Sequence, residues 1–157
     1  MPMQTTGAST LRAVDHTCVA SVAITYAACI IWTFIEGNAQ VWGLIAVPGL
    51  GFVLLSWARA RIDAPRPYEL AAMNPLLDSS THGKSFPSRH VGSGALIGSS
   101  LVFVHPLVGT AVLLVTVLLA IVRVMGRVHF PRDVVAGYVA GAAFGFLGML
   151  LFTLLIG

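Results

Sequence analysis

The sequence predicts an all-α fold: a multi-spanning transmembrane helix bundle of about five spans. Three observations carry this. Hydrophobic residues make up 57% of the 157-residue chain and charged residues only 10%, against about 25% charged in soluble domains. Mean hydropathy is +0.88. The apolar residues also gather into five runs separated by short polar breaks, at or near the roughly 17–25 residues a helix needs to cross a bilayer. The length suits one compact bundle. Net charge is only +3, and no basic face exists apart from a few loops, which excludes a nucleic-acid partner.

Residues 1–16 read as a polar N-terminal segment, its first ten residues a flexible terminus, and residues 17–157 as a single membrane-embedded domain. The first apolar run is 17–34. No basic n-region precedes it and no small-x-small cleavage site follows, so it reads as a span and not a cleaved leader. Cys18 and Cys29 lie on this run, separated by about 16 Å of helical rise, too far for a disulfide. A short link, 36–40, leads to the second run, 41–57. Trp32 and Trp42 flank the link and Trp57 lies at the opposite membrane face, as interfacial aromatic belts require.

The one long connection, 58–87, is punctuated by Pro65, Pro67, Asn74, Pro75 and Gly83, all turn formers. Its mostly apolar 69–77 portion reads either as a short interfacial helix or as a solvated loop. The third and fourth runs, 90–104 and 107–122, are joined by His105-Pro106, and the fifth is 134–156. The third is short unless its helix starts at Ser88, which sinks that residue into the headgroup region. Gly94 and Gly98, and the longer ladder Gly137, Gly141, Gly145, are small-xxx-small patterns that let helix backbones approach in lipid.

Three polar stretches sit where apolar runs begin or end. Residues 59–67 read Arg-Ala-Arg-Ile-Asp-Ala-Pro-Arg-Pro, residues 87–90 read Pro-Ser-Arg-His, and Arg123, His129 and Asp133 are spaced Arg-x5-His-x3-Asp. Ionisable residues at a membrane bundle are costly and imply function. Ser88 suits a helix N-cap, with Arg89 and His90 in the first turn, where free N–H groups and a positive partial charge favour phosphate. Pro131 suits the first turn of the last helix, with Asp133 near its start. The Asp133 carboxylate can meet the His129 imidazole and fix its tautomer. Arg59, Arg66 and Arg123 supply planar donor forks for phosphate oxygens. Two histidines then divide the labour, one attacking phosphorus and one protonating the leaving oxygen. The other histidines are expected to be plain: His105 capping a helix connection away from these stretches, His16 at the interface, and His82 in the loop.

This arrangement resembles the three signature motifs of the type-two phosphatidic acid phosphatase superfamily, which includes bacterial lipid phosphatases and vanadium haloperoxidases. The family pattern Lys-x6-Arg-Pro is met by Arg59, Arg66 and Pro67, with arginine for lysine. Pro-Ser-Gly-His is met by Pro87, Ser88 and His90, with Arg89 for glycine. Ser-Arg-x5-His-x3-Asp is met by Arg123, His129 and Asp133, with Val122 for serine. The resemblance implies an interfacial active site and a phosphohistidine mechanism without metal or other cofactor. It makes His129 the nucleophile, Asp133 its partner and His90 the general acid, with Arg59, Arg66, Ser88 and Arg123 holding the phosphate. Arg89, the departure from the family glycine, adds a cation beside that cradle and completes the expected phosphate-binding set. Family members often have six spans, three before the first motif; two are counted here.

A lipid phosphate monoester or diphosphate, of the phosphatidic acid, phosphatidylglycerol phosphate or polyprenyl phosphate type, is the implied substrate. No protein partner is expected. A lipid phosphotransferase of the same fold and a non-catalytic lipid-binding or transport protein are the alternatives. Five spans would put all nine Lys and Arg residues on one face, which the positive-inside rule assigns to the cytoplasm. The resemblance implies the outer face of the inner membrane, and that is the expectation adopted.

Overall fold

A computed structural model describes residues 3–71, 73–77 and 82–156. Its elements are α1 (Met3–Ile35), α2 (Gln40–Ile62), the one-turn α3 (Pro67–Leu70), α4 (Arg89–Val102), α5 (Pro106–Met125) and α6 (Pro131–Ile156). The boundaries follow local chemistry. Prolines open α3, α5 and α6, where a missing N–H costs nothing. Asp63 ends α2 in the left-handed region at φ 42°, a conformation Asp tolerates better than most residues. In the α1–α2 turn, Gly37 takes φ 67° and the Asn38 side chain accepts from the Gln40 N–H at 2.9 Å.

Among the described residues, α1, α2, α5 and α6 are long and apolar enough to cross a membrane. Helix α4 has 14 residues, about 21 Å of rise, against a hydrocarbon core of about 30 Å. It is the centre of the bundle, packing on α1, α2, α5 and above all α6. Leu, Ile and Phe side chains such as Ile24, Leu114, Leu147 and Leu154 point outward, an apolar exterior that lipid covers. Trp32, Trp42 and Trp57 are all exposed, in keeping with the expected belts.

Two expectations are corrected. The N-terminal stretch is helical from Met3 rather than a flexible terminus, with residues 1 and 2 outside the described part. Leu11, Val14 and Cys18 recur at helical spacing and pack on the core, so the apolar stripe starts before the continuous apolar run does. Of the two readings of 69–77, the interfacial helix is not formed and the loop is only partly solvated. The helix is only Pro67–Leu70; beyond it, Leu76 N–H donates to the Gly126 carbonyl and buried Leu77 joins Tyr68, Val122 and Val128 in a small core. Residue 72 lies outside the described residues.

Far from the polar stretches, Thr33 Oγ1 and His105 Nε2 lie 3.0 Å apart, joining the end of α1 to the start of α5. Gln40 donates to Thr153 at 3.2 Å. Cys18 and Cys29 are buried free thiols.

Candidate active site

Helices α4 and α6 meet along the glycine ladder. A Cβ on Gly137 would strike the Ser88 carbonyl, one on Gly141 the Gly92 carbonyl, and one on Gly145 the Leu96 carbonyl and the Ser99 hydroxyl. Both partners advance together, so the two helices run parallel and present their N-termini side by side. The Ser88 N–H seals the junction by donating to the Asp133 carbonyl at 2.9 Å. The two helix starts lie side by side, each with a partial positive charge, although at α6 the Asp133 and Val134 N–H groups already donate to the Phe130 carbonyl.

Ser88 is the N-cap of α4 in an extended conformation, and its side chain caps nothing. It is fully buried, and its hydroxyl has no hydrogen-bond partner. Leaving a buried hydroxyl unpaired costs about 1–3 kcal/mol. Arg89, next in line, is exposed and lies 5.7 Å over the Phe52 ring. His90 is half-buried and feels the charges of Arg123, Arg89, His129 and Arg59.

The His129–Asp133 relation differs from the direct contact expected. His129 Nδ1 lies 3.7 Å from Asp133 Oδ2, beyond hydrogen-bond length. The Ser85 hydroxyl stands beside both: it donates to Asp133 Oδ2 at 2.5 Å and lies 3.4 Å from His129 Nδ1. Asp133 Oδ2 also accepts from the Phe130 N–H at 3.0 Å, and Arg132 Nε lies 3.6 Å from Oδ1. Ser85, His129 and Asp133 are all buried. The geometry suits a relay in which Nδ1–H points to Ser85 Oγ and Ser85 O–H to the carboxylate, leaving Nε2 as the unprotonated atom. Burial holds the His129 imidazole below its ordinary value, opposed by Asp133 and reinforced by Arg66 and Arg123. The ring therefore stays neutral at neutral pH.

Arg66 is buried and bolted in place. Its Nε donates to the Gly83 carbonyl at 3.0 Å and its Nη1 reaches the Val128 carbonyl at 3.5 Å, directly beside His129. A reciprocal cap with Glu69 fixes its backbone, the Arg66 N–H donating to Glu69 Oε2 at 2.6 Å. Glu69 also accepts from the Gly83 N–H at 2.8 Å and faces His82 Nδ1 at 3.0 Å, so the otherwise exposed His82 is paired, not merely solvated. Arg123, in the last turn of α5, is buried and paired with Asp15 of α1: Nη2 donates to Oδ2 at 2.8 Å and Nε lies 2.7 Å from Oδ1. Arg59, half-buried near the end of α2, sits in the field of Arg66, Arg89 and Arg123.

Two cavities meet at His90. A polar one of about 190 Å³ is lined by Arg12, Asp15, His16, Val19, Leu77, His90 and Arg123. An apolar one of about 270 Å³ runs between helices past Val19, Phe52, Ile97 and Leu119, with Arg89 and His90 among its lining. Among the described residues, no three His, Cys, Asp or Glu side chains gather in a way that could hold a metal ion.

All eight residues singled out from the sequence thus lie at one end of the bundle. His129, Asp133 and Arg66 cluster through Ser85 and Val128; His90 and Arg123 share a cavity; Arg89 and Arg59 flank them. Sequence reasoning missed Ser85, two residues before the Pro-Ser-Arg-His stretch, and Asp15. The signal for Asp15 was a carboxylate inside the helical stripe of Leu11, Val14 and Cys18.

A family model described as the PAP2 superfamily matches residues 40–156, from the start of α2 onward. Among solved structures, the fold is similar to LpxE of Aquifex aeolicus, with TM-score 0.70 and 24% identity over 96% of this chain and 87% of that one. It is also similar to the first transmembrane PAP2 type phosphatidylglycerolphosphate phosphatase from Bacillus subtilis, with TM-score 0.70 and 22% identity over 98% of this chain and 78% of that one. No curated protein sequence matches the chain significantly.

Proposed function

Because the chain belongs to the PAP2 superfamily, we propose that it hydrolyses a lipid phosphate monoester or diphosphate through a phosphohistidine on His129. The observation that carries this reading is the buried, partnerless Ser88 hydroxyl at one of two adjacent helix N-termini. A phosphate oxygen there satisfies the hydroxyl within the positive field of the helix starts.

In the first step His129 Nε2 attacks phosphorus as the bond to the lipid oxygen breaks, and His90 gives its proton to that oxygen. The negative charge of a phosphate entering among the arginines favours the protonated form of His90 that this step needs. In the second step water attacks the phosphohistidine, His90 takes its proton, the P–N bond breaks and inorganic phosphate leaves. Arg59, Arg66 and Arg123 neutralise the equatorial oxygens, with Arg89 at the rim. That set of charges supports chemistry without a metal ion. The apolar cavity beside His90 fits an acyl or prenyl tail, and phosphatidic acid, phosphatidylglycerol phosphate and polyprenyl phosphates are the candidate substrates. The proposed location is the inner membrane with the site on the outer face.

Purified protein offered a panel of these lipids should release inorganic phosphate, with no change when chelator is added. His129→Ala and His90→Ala should each abolish release while the protein still inserts. Transfer of phosphate to another acceptor, or binding without turnover, would replace this reading; near-normal turnover in either variant would remove the assigned roles. Asn74→Cys, in a chain carrying Cys18→Ser and Cys29→Ser, should react with an impermeant thiol reagent on intact cells. Labelling only after permeabilisation would move the site to the cytoplasmic face.

A further inference from the structure

Asp15 lies on α1, ahead of the family match at residues 40–156, and takes no part in the steps above. Yet it is buried, as is its partner Arg123, and two charges removed from water are expensive to keep. Apolar side chains would tether α1 to α5 as well, so a tether alone does not account for a carboxylate here. The geometry gives a reason. A guanidinium carries five N–H donors in a fixed fork. Asp15 faces one edge, accepting from Nη2 at 2.8 Å and lying 2.7 Å from Nε as an ion pair without a hydrogen bond. Among the described residues no hydrogen bond is made by the other end, Nη1. Arg123 and His90 line the same cavity.

We propose that Asp15 is a positioning residue for phosphate: it grips the side edge of Arg123 and aims the free end of the fork at the phosphoryl oxygens. Helix α1 is then part of the site and not only a wall of the bundle. A long arginine released from this grip keeps its charge but loses its direction, so binding of a tetrahedral or five-coordinate oxyanion weakens. This inference rests on the phosphate-binding reading above, but its readout is anion affinity, which needs no turnover.

The test measures orthovanadate binding to the full-length protein in detergent, together with lipid phosphate hydrolysis. It compares wild type, Asp15→Asn, Asp15→Ala, Arg123→Met and the Asp15→Ala/Arg123→Met double variant. Vanadate affinity should fall by about tenfold in either Asp15 variant, the loss expected for one charge-assisted hydrogen bond. Once Arg123 is gone, removing Asp15 should change affinity by less than about twofold, since coupled residues are non-additive. Should Asp15→Ala fail to fold, the nearly isosteric Asp15→Asn, alone and with Arg123→Met, decides. Unchanged vanadate affinity in the Asp15 variants, or equal losses with and without Arg123, overturns the proposal, even if thermal stability drops. An active wild type with Asp15-independent vanadate binding defeats this inference and leaves the function standing. Asp15-dependent binding without hydrolysis of any lipid phosphate does the reverse. A wild type that binds no vanadate defeats both.

Discussion

Replacing Ser85 by alanine removes one oxygen from the most enclosed part of the site. In the wild type that oxygen donates to Asp133 Oδ2 at 2.5 Å and stands 3.4 Å from His129 Nδ1. The direct His129–Asp133 separation is 3.7 Å, so among the described residues Ser85 Oγ is the closest polar partner of Nδ1. A hydrogen bond to a charged group contributes about 1.5–3 kcal/mol. At 1.36 kcal/mol per decade, its loss from the attacking geometry lowers kcat by about 10- to 150-fold. The arginines and Ser88 proposed to hold the phosphate are untouched, so KM should stay within about threefold. Steady-state phosphate release against a short-chain lipid phosphate measures both constants. A kcat within about threefold of wild type would refute the relay, as would a loss residing wholly in KM, which would make Ser85 a binding group. Ser85→Cys keeps a weak donor in the same place and should recover part of the rate.

Two further predictions follow from burial and packing. Nitrogen-15 NMR of His129 should show the ring neutral down to a pH below the ordinary 6.5. The unfolded chain then takes up a proton that the folded one refuses, so this residue's contribution to stability is complete above pH 6.5 and declines as pH falls below it; a titration at or above 6.5 would contradict the burial argument. Gly141→Ala sets a methyl against the Gly92 carbonyl and should cost about 1–3 kcal/mol by overpacking, with a larger loss of activity than Gly49→Ala, where a Cβ meets nothing within 4 Å. Equal activities in the two variants would count against the ladder as the site's support.

The helices and most of the candidate site were legible because each leaves a local mark. Proline at the starts of α5 and α6, serine before α4 and the spacing of Arg123, His129 and Asp133 are readable one stretch at a time. Ser85 and Asp15 were not, since a serine in a loop and an aspartate in a polar terminus become informative only when folding brings them to residues far along the chain: Asp15 to Arg123, Ser85 to Asp133. The length of α1 was misjudged for a related reason. Its first turns are polar overall, and only Leu11, Val14 and Cys18 mark the buried stripe. The 69–77 stretch left an interfacial helix and a solvated loop both open because it is apolar; beyond Leu70 it is not helical, and its Leu77 is covered by protein.

The parallel contact of α4 with α6 works like a toothed rack. Sliding one helix by a single residue moves it about 1.5 Å and turns it about 100°, which replaces glycine with a side chain against the opposing backbone. The next setting that brings small residues together again lies four residues on, about 6 Å away. Between those settings side chains collide with the opposing backbone, so the pair is either in register or apart. Ser88 and His90 ride on one bar of the rack and Asp133 on the other. The active arrangement therefore has no loosened, half-aligned form to pass through on heating: catalysis should persist undiminished by misalignment until the helices separate, and then end in the same transition.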